Sequence, residues 1–105
     1  MSSMETAKKF DALMCEGKIE EAAAMVTDDF EFHTPMHKLT KQQWMDNAKK
    51  LHDERPDFGE FEEGSNDKEI KRNGKKKMMM MNLSMKETWT FNEEGKIVSI
   101  KGQKV

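Results

Sequence analysis

The chain has 105 residues, of which 36% are charged and 35% hydrophobic, and its net charge at pH 7 is −2. This length predicts one domain, spanning residues 1–105, with a modest core under a heavily solvated surface. No run approaches the ~20 apolar residues that a transmembrane helix needs, and the N-terminus has no apolar signal-peptide core. A lone Cys15 agrees with a reducing compartment, so we expect a cytoplasmic protein that binds no membrane.

The first two predicted elements are helices. Residues 5–15 place apolar side chains on one face at helical spacing, and Gly17 stands where a left-handed residue ends a helix. A second, shorter helix is predicted over residues 19–26, where alanines and then Met25 and Val26 supply the apolar positions. The chain is therefore expected to begin with a pair of helices.

A short strand is predicted next, over residues 29–34, because apolar and polar residues alternate there. Phe30 and Phe32 share one face of this strand, and His33 belongs to the opposite face. Pro35 ends the strand, because proline cannot donate a hydrogen bond to a sheet ladder.

A third helix is predicted over residues 41–53, with two agreeing signals at its start. Thr40 and Gln43 have the spacing of a capping box, in which each side chain bonds the backbone N–H of the other residue. Leu39 and Trp44 occupy the two positions of a hydrophobic staple. Together these signals place the start of the helix directly after Thr40.

The remainder, residues 57–103, is predicted to be an antiparallel meander with two marked turns. Asn73-Gly74 is the strongest two-residue hairpin signal, because both positions tolerate positive φ. Glu93-Glu94-Gly95 fits a three-residue loop with glycine in the left-handed region. Between these turns, residues 75–91 would form one unusually long strand.

Two stretches carry a resemblance to a known family. They are Asp28-Asp29-Phe30-Glu31-Phe32-His33-Thr34-Pro35 and Trp89-Thr90-Phe91-Asn92-Glu93-Glu94-Gly95-Lys96-Ile97. With the order of the elements, they make residues 4–103 resemble the nuclear-transport-factor-2-like superfamily, and within it SnoaL-like domains. The resemblance implies an α+β fold in which three N-terminal helices pack in a curved antiparallel sheet, a cone-shaped, cystatin-like or SnoaL-like α+β barrel with an internal pocket. Members are often dimers and range from isomerases and cyclases to non-catalytic association modules, so the fold does not decide the activity.

The resemblance excludes one specific enzyme mechanism. Ketosteroid-isomerase-like members carry their catalytic base as an aspartate immediately before the proline of the strand, and they use a tyrosine to stabilise the enolate. Here Thr34 stands at the position of the base, and the chain has no tyrosine. A threonine hydroxyl is not a useful general base near neutral pH.

Two other residues are candidates for acid–base chemistry. Glu87 shares a strand face with apolar neighbours, so its carboxylate is the one most expected to be desolvated. The alternative is a cross-strand ion pair, since the predicted register places Glu87 opposite Lys101. That register also places Phe91 opposite Ile97 and Trp89 opposite Ser99. His33 beside Glu31 has a side chain suited to proton transfer, and the alternative is that it points outward and bonds a neighbour.

No metal, cofactor or nucleic acid is expected. His33 and His37 have helical metal-pair spacing, but Pro35 prevents a helix there and no third ligand is suitably spaced. The basic run over residues 71–77 follows an acidic run, and the whole chain is not basic. We therefore interpret this run as a solvated hairpin tip rather than a nucleic-acid site.

The eleven methionines include four in succession, Met78 to Met81. On one long strand, Met79, Met81, Leu83 and Met85 would face the core. Met78 and Met80 would lie on the outer face, near Ser84 and Thr88. Exposed apolar surface commonly marks an interface, so we expect a homodimer formed through this outer face.

Three functions are consistent with these features. The first is binding of a small apolar molecule in the cone. Its predicted pocket residues are Phe30, Phe32, Thr34, Trp44, Met81, Glu87 and Trp89. The second is a non-catalytic homodimeric association module whose cone is filled by its own side chains. The third is an isomerase-like or cyclase-like enzyme that uses Glu87 or His33 as its acid or base.

Overall fold

Three helices and one seven-stranded sheet make up the part of the chain described by the computed structural model, which covers residues 2–53, 57–78 (backbone only at 77 and 78) and 80–105. The helices are α1 (Ser3–Cys15), α2 (Ile19–Ala23) and α3 (Lys41–Asp53). The strands are β1 (Val26–His33), β2 (Lys38–Thr40), β3 (Asp57–Phe58), β4 (Glu62–Glu63), β5 (Glu69–Met78), β6 (Met81–Phe91) and β7 (Ile97–Lys104). The predicted α+β class is confirmed.

The sheet has the strand order β2-β1-β7-β6-β5-β3, and β4 pairs with β5 beside β3. All of these pairs are antiparallel except β1 with β7, which run parallel. The helices bury their apolar faces against the inner face of this sheet. The most buried large side chains there are Trp44, Trp89, Phe30, Ile97 and Ile100. Among the described residues, no helix is long and apolar enough to cross a membrane.

The predicted capping box at the start of α3 is confirmed. The backbone N–H of Thr40 donates to Gln43 Oε1 at 2.9 Å, and the backbone N–H of Gln43 donates to Thr40 Oγ1 at 3.2 Å. These two bonds form the predicted capping box. Gly17, which follows α1, has the predicted left-handed backbone with φ of 77°.

The predicted boundary between α2 and β1 is wrong. The helix ends at Ala23, and the strand already begins at Val26. Val26 pairs with Ile97 of β7, and the N–H of Ile97 donates to the carbonyl of Met25 at 2.9 Å. Pairing with a distant strand therefore overrides the local helical pattern at Met25 and Val26.

The predicted turn at Asn73-Gly74 is also wrong, and so is the single strand over residues 75–91. β5 passes straight through this dipeptide, with Gly74 opposite Met85, and the chain reverses between Met78 and Met81. A Cβ at Gly74 would lie only 2.5 Å from the ring of Phe58 on β3. The glycine is therefore explained by the close approach of a neighbouring ring rather than by a turn.

The last hairpin has the predicted Gly95, with φ of 82°, and the predicted pairing of Phe91 with Ile97. Beyond that pair the expected register is wrong, because β7 contains one extra residue, Val98, opposite the Thr90–Phe91 step. The bulge places Trp89 opposite Ile100 and Glu87 opposite Gly102. It also turns Ile97 and Ile100, which lie three residues apart, towards the same core.

Candidate functional site

The interior of the cone is largely filled by aromatic rings. Phe10 of α1 stacks on Trp44 of α3 with ring centroids 5.7 Å apart, and it meets Trp89 of β6 edge-on at 5.3 Å. Phe30 packs edge-on against Trp44 from the other side at 5.2 Å. The space left between α1, α3 and the sheet is a cavity of about 60 Å³. Pockets for drug-sized ligands are typically ~300–1,000 Å³, so this cavity holds little more than water in the present conformation.

A buried charged cluster borders this cavity. Arg72 on β5 lies directly opposite Glu87 on β6, and Arg72 Nε donates to Glu87 Oε1 at 2.7 Å. Trp89 Nε1 donates to the same carboxylate oxygen. Asp11 of α1 also contacts the cluster from the helical side, with its Oδ1 atom 3.3 Å from Arg72 Nη1. Arg72 and Glu87 are 5% and 6% exposed, so each charge depends on the other for compensation.

Two phenylalanine rings close over the Arg72 guanidinium. Its Cζ atom lies 4.0 Å from the ring centroid of Phe58 and 4.6 Å from that of Phe61. Both rings can face inward because the edge strand takes four residue steps, from Phe58 to Glu62, against three on β5. This irregularity cancels the normal alternation of a strand and places both rings on the guanidinium.

His52 contributes the remaining polar atom of interest. It lies in the last turn of α3 and lines the cavity together with Asp11, Arg72 and Glu87. Its Nδ1 atom is buried and has no hydrogen-bond partner among the described residues. Buried polar atoms are normally satisfied, so this nitrogen needs a partner that the described residues do not supply.

The structure brings together four of the seven predicted pocket residues. Phe32, Trp44, Glu87 and Trp89 line the cavity. The predicted cross-strand pair of Glu87 with Lys101 is wrong, because Arg72 holds the carboxylate instead.

The other three predicted pocket residues lie elsewhere. Phe30 is buried behind Trp44 and does not reach the cavity. Met81 is 65% exposed at the start of β6. Thr34 accepts hydrogen bonds from the N–H groups of Met36 and His37 through its Oγ1 atom, at 3.3 and 2.9 Å, and so shapes the tight loop between β1 and β2.

His33 lies on the outer face of the sheet, away from the cavity. Its Nε2 atom is 3.7 Å from Glu31 Oε1, and Lys38 Nζ is 2.8 Å from the other oxygen of Glu31. The hydrogen bond from Lys38 lowers the pKa of Glu31 below its ordinary value, against an opposing effect of burial. His33 is therefore part of a partly buried ion-pair group on the outer face and does not line the cavity.

The outer face of the sheet carries two rows of polar residues that run across five strands. The first row, in the order β2, β1, β7, β6 and β5, is Thr40, Glu31, Ser99, Thr90 and Glu69. The second row, in the same order, is Lys38, His33, Lys101, Thr88 and Lys71. We call these ten residues the two-row patch. One row carries two carboxylates and the other three lysines, so opposite charges are separated along the strand direction.

Sequence reasoning missed Asp11, His52, Phe58 and Arg72. Arg72 and Glu87 become neighbours only if the chain reverses between Met78 and Met81, so the misplaced turn concealed the pair. Among the described residues, no group of three or more His, Cys, Asp or Glu side chains could hold a metal ion.

Comparison with known proteins finds matches in structure but not in sequence. No family model and no curated protein matches the chain. An NTF2-like protein of unknown function from Cytophaga hutchinsonii has a TM-score of 0.75 and 13% identity, over 100% of this chain and 91% of that one. A steroid delta-isomerase from Pseudomonas aeruginosa has a TM-score of 0.76 and 12% identity, over 98% of this chain and 79% of that one. The chain has the NTF2-like fold.

A SnoaL-like protein from Shewanella denitrificans is a further structural match to this chain. It has a TM-score of 0.71 and 8% identity, over 98% of this chain and 90% of that one. The resemblance inferred from the β1 strand and the last hairpin is therefore confirmed. At these identities the similarity concerns the fold, which hosts many unrelated functions.

Proposed function

We propose that this NTF2-like protein is a non-catalytic association module that forms a homodimer through the outer face of its sheet. The observation that carries the proposal is the 60 Å³ volume left inside the cone. A steroid-sized substrate, of the kind named for one structural neighbour, has no room there. On this proposal the cone is a packed core, and recognition uses the exterior of the sheet.

The arrangement of the acid–base candidates supports the same conclusion. Glu87 Oε1 is committed to two N–H donors, Arg72 Nε and Trp89 Nε1. His33 is on the outer face, and Thr34 is engaged in its own loop. No pair of these groups faces a common space large enough for a substrate, as general acid–base catalysis requires.

The two-row patch has the properties of a self-complementary surface. A two-fold axis lying between the rows would place the first row of one protomer on the second row of the other. Glu69 would then meet the partner's Lys71, and Glu31 would meet the partner's His33. Ser99 and Thr88, near the middle, are small enough for two sheets to approach face to face. This contact lies seven residues along β5, from Lys71 to Met78, away from the interface near Met78 and Met80 that was expected from the sequence. The side chain of Met78 lies outside the described part of the chain, and Met80 is 99% exposed.

Sedimentation of three proteins tests the proposal. We expect the wild type to be dimeric at tens of micromolar and a Glu31→Lys, Glu69→Lys double variant to be monomeric, because both rows would then be basic. The control is Glu93→Lys, Glu94→Lys, which makes the same charge change in an exposed turn and should remain dimeric. Met80→Lys should also remain dimeric. If this variant were monomeric, the interface would instead lie at the tip of the β5–β6 hairpin. A wild type that is monomeric at this concentration would contradict the proposal.

A second candidate function is favoured by the unsatisfied His52 Nδ1 atom beside the Arg72–Glu87 pair. It is binding of a small, largely apolar molecule in the cone, with one donor group at His52. A thermal-shift screen of small fragments tests it, since a ligand that binds only the folded chain raises the melting temperature. We expect His52→Phe to abolish any shift, because it removes the unpartnered nitrogen that would accept the hydrogen bond of the ligand. Absence of any shift in the wild type would contradict this second function.

A further inference from the structure

We propose that residues Asp57–Phe61 form a displaceable plug in the cone, and that the site beneath them takes a neutral planar ring. In the open state the ring of the ligand would stack on the Arg72 guanidinium in place of the Phe58 ring. This inference rests on the second candidate function, because it names the ligand class and the route by which the closed cone could admit it. Dimer formation through the outer face is independent of it.

The plug is attached weakly compared with the walls around it. It contains the two-residue strand β3 and the three residues before β4, and it lies at the free edge of the sheet. Gly59 and Glu60 are exposed, and Phe58 and Phe61 are only half-buried. Trp44 and Trp89, which remain as walls, are each 1% exposed. Edge segments with few buried contacts open at lower free energy than the core does.

The site beneath the plug is already organised for a ring. Glu87 and Asp11 hold the Arg72 guanidinium from two sides, so its plane does not depend on the Phe58 ring for its position. Phe10, Trp44 and Trp89 supply aromatic walls on the other sides. An apolar cavity of about 150 Å³ holds one benzene molecule, so the 60 Å³ present becomes sufficient only when a phenylalanine ring leaves.

The charges of the cluster select a neutral ligand. Two carboxylates, from Asp11 and Glu87, already face one guanidinium. An anionic ligand would add a third negative charge to a desolvated site, which is strongly unfavourable. A neutral planar ring keeps the stacking contact that Phe58 makes at 4.0 Å and adds no charge.

Gly74 offers a way to move the plug without removing any wall. A Cβ at this position would lie 2.5 Å from Phe58 Cδ1, so Gly74→Ala forces the Phe58 ring away. The matched control is Gly59→Ala, whose added Cβ lies at an ordinary 3.6 Å from the carbonyl oxygen of Asn73. The two variants make the same chemical change on β5 and directly after β3, and only one of them displaces the ring.

Calorimetric titration with phenol and with cyclohexanol tests the proposal. The two probes have the same number of heavy atoms, but only phenol is planar. We expect Gly74→Ala to bind phenol at least about tenfold more tightly than the wild type or Gly59→Ala does, because the open state no longer has to be populated first. Cyclohexanol should bind more weakly than phenol to the same variant. Phe58→Ala, which removes the ring outright, should repeat the result if Gly74→Ala does not fold.

Either of two results would contradict the plug proposal. One is equal phenol affinity in the wild type and all the variants, and the other is cyclohexanol binding as tightly as phenol. Phenol binding that appears only in Gly74→Ala and Phe58→Ala supports the plug, while it shows that the wild type stays closed and removes the second candidate function. Wild-type fragment binding that is lost in His52→Phe but unchanged in Gly74→Ala supports that function and removes the plug. Each hypothesis can therefore fail without the other.

Discussion

The two faces of the sheet differ most clearly at consecutive residues of β5. Arg72 points inward with 6% of its side chain exposed, whereas Lys71 points outward with 31% exposed. The inner charge is held by Glu87 and by aromatic rings, and the outer charge lies 3.4 Å from Glu69 in contact with water. Because buried pairs carry large desolvation penalties and exposed pairs are screened, the same kind of contact should have very different energetic weight on the two faces.

The largest expected effect comes from breaking the inner pair. Arg72→Met should lower the free energy of unfolding by about 3–5 kcal/mol, because the buried Glu87 carboxylate loses its counter-charge. The control is Lys71→Met, one residue away on the outer face, which should change stability by less than about 0.5 kcal/mol. Urea denaturation measures both. Equal losses of unfolding free energy in the two variants would contradict the expected difference between the two faces of the sheet.

A double variant sharpens this result. Arg72→Met combined with Glu87→Met should recover much of the stability lost in the single variant, since replacing a whole buried pair by apolar side chains is often close to neutral. A double variant less stable than Arg72→Met would show that packing, rather than the orphaned charge, dominates the cluster.

A smaller effect is expected on the outer face, where one threonine has a structural role and another does not. Thr40→Ala should cost about 0.5–2 kcal/mol, because it removes the acceptor that caps α3 through the N–H of Gln43. Thr88→Ala removes a similar hydroxyl from the same face, without a cap, and should stay within about 0.5 kcal/mol. Melting of the two variants in parallel provides the comparison. Similar costs would mean that the capping bond contributes little.

The smallest effect is a dependence of stability on pH from the carboxylates of the two-row patch. The hydrogen bond from Lys38 lowers the pKa of Glu31, and that from the backbone N–H of Ser65 lowers the pKa of Glu69. A lowered folded-state pKa stabilises the fold above the ordinary value of 4.5, and this contribution disappears as pH falls through the lowered value. Unfolding midpoints of the wild type should therefore fall more steeply below pH 4.5 than those of Glu31→Gln, Glu69→Gln. Parallel curves would contradict the assignment.

Sequence reasoning succeeded where the deciding contacts are local. The capping box joins residues three apart, and the turn at Gly95 depends on the conformation of a single residue. Both could be predicted because their physics is contained in a few consecutive side chains. The order of helices and strands, and with it the resemblance to the NTF2-like fold, followed from such local features.

Sequence reasoning failed where the role of a residue depends on contact with a residue that is distant in the chain. Gly74 looks like a turn residue in the sequence, but the Phe58 ring on another strand requires it. Val98 looks like an ordinary strand residue, but it forms the bulge that changes every pair beyond it in the hairpin.

The candidate site was predicted only in part for the same reason. Glu87, Trp44, Trp89 and Phe32 were found from strand and helix periodicity. Arg72 required the correct register, and Asp11 and His52 required the docking of two helices. None of these contacts can be inferred from residues that are adjacent in the sequence.

The parallel pair of β1 and β7 has a consequence for biosynthesis. β7 follows every other described strand in the chain, yet it lies in the middle of the sheet, with β1 on one side and β6 on the other. Until β7 has emerged from the ribosome, the β1–β2 pair and the β5–β6 hairpin have no strand to join them, and each presents an unpaired edge. The contact between Val26 and Ile97 must also close a loop of most of the chain, which is entropically slow. Completion of the sheet is therefore a late event, and the nascent chain needs protection from edge-to-edge pairing until synthesis has passed Lys104.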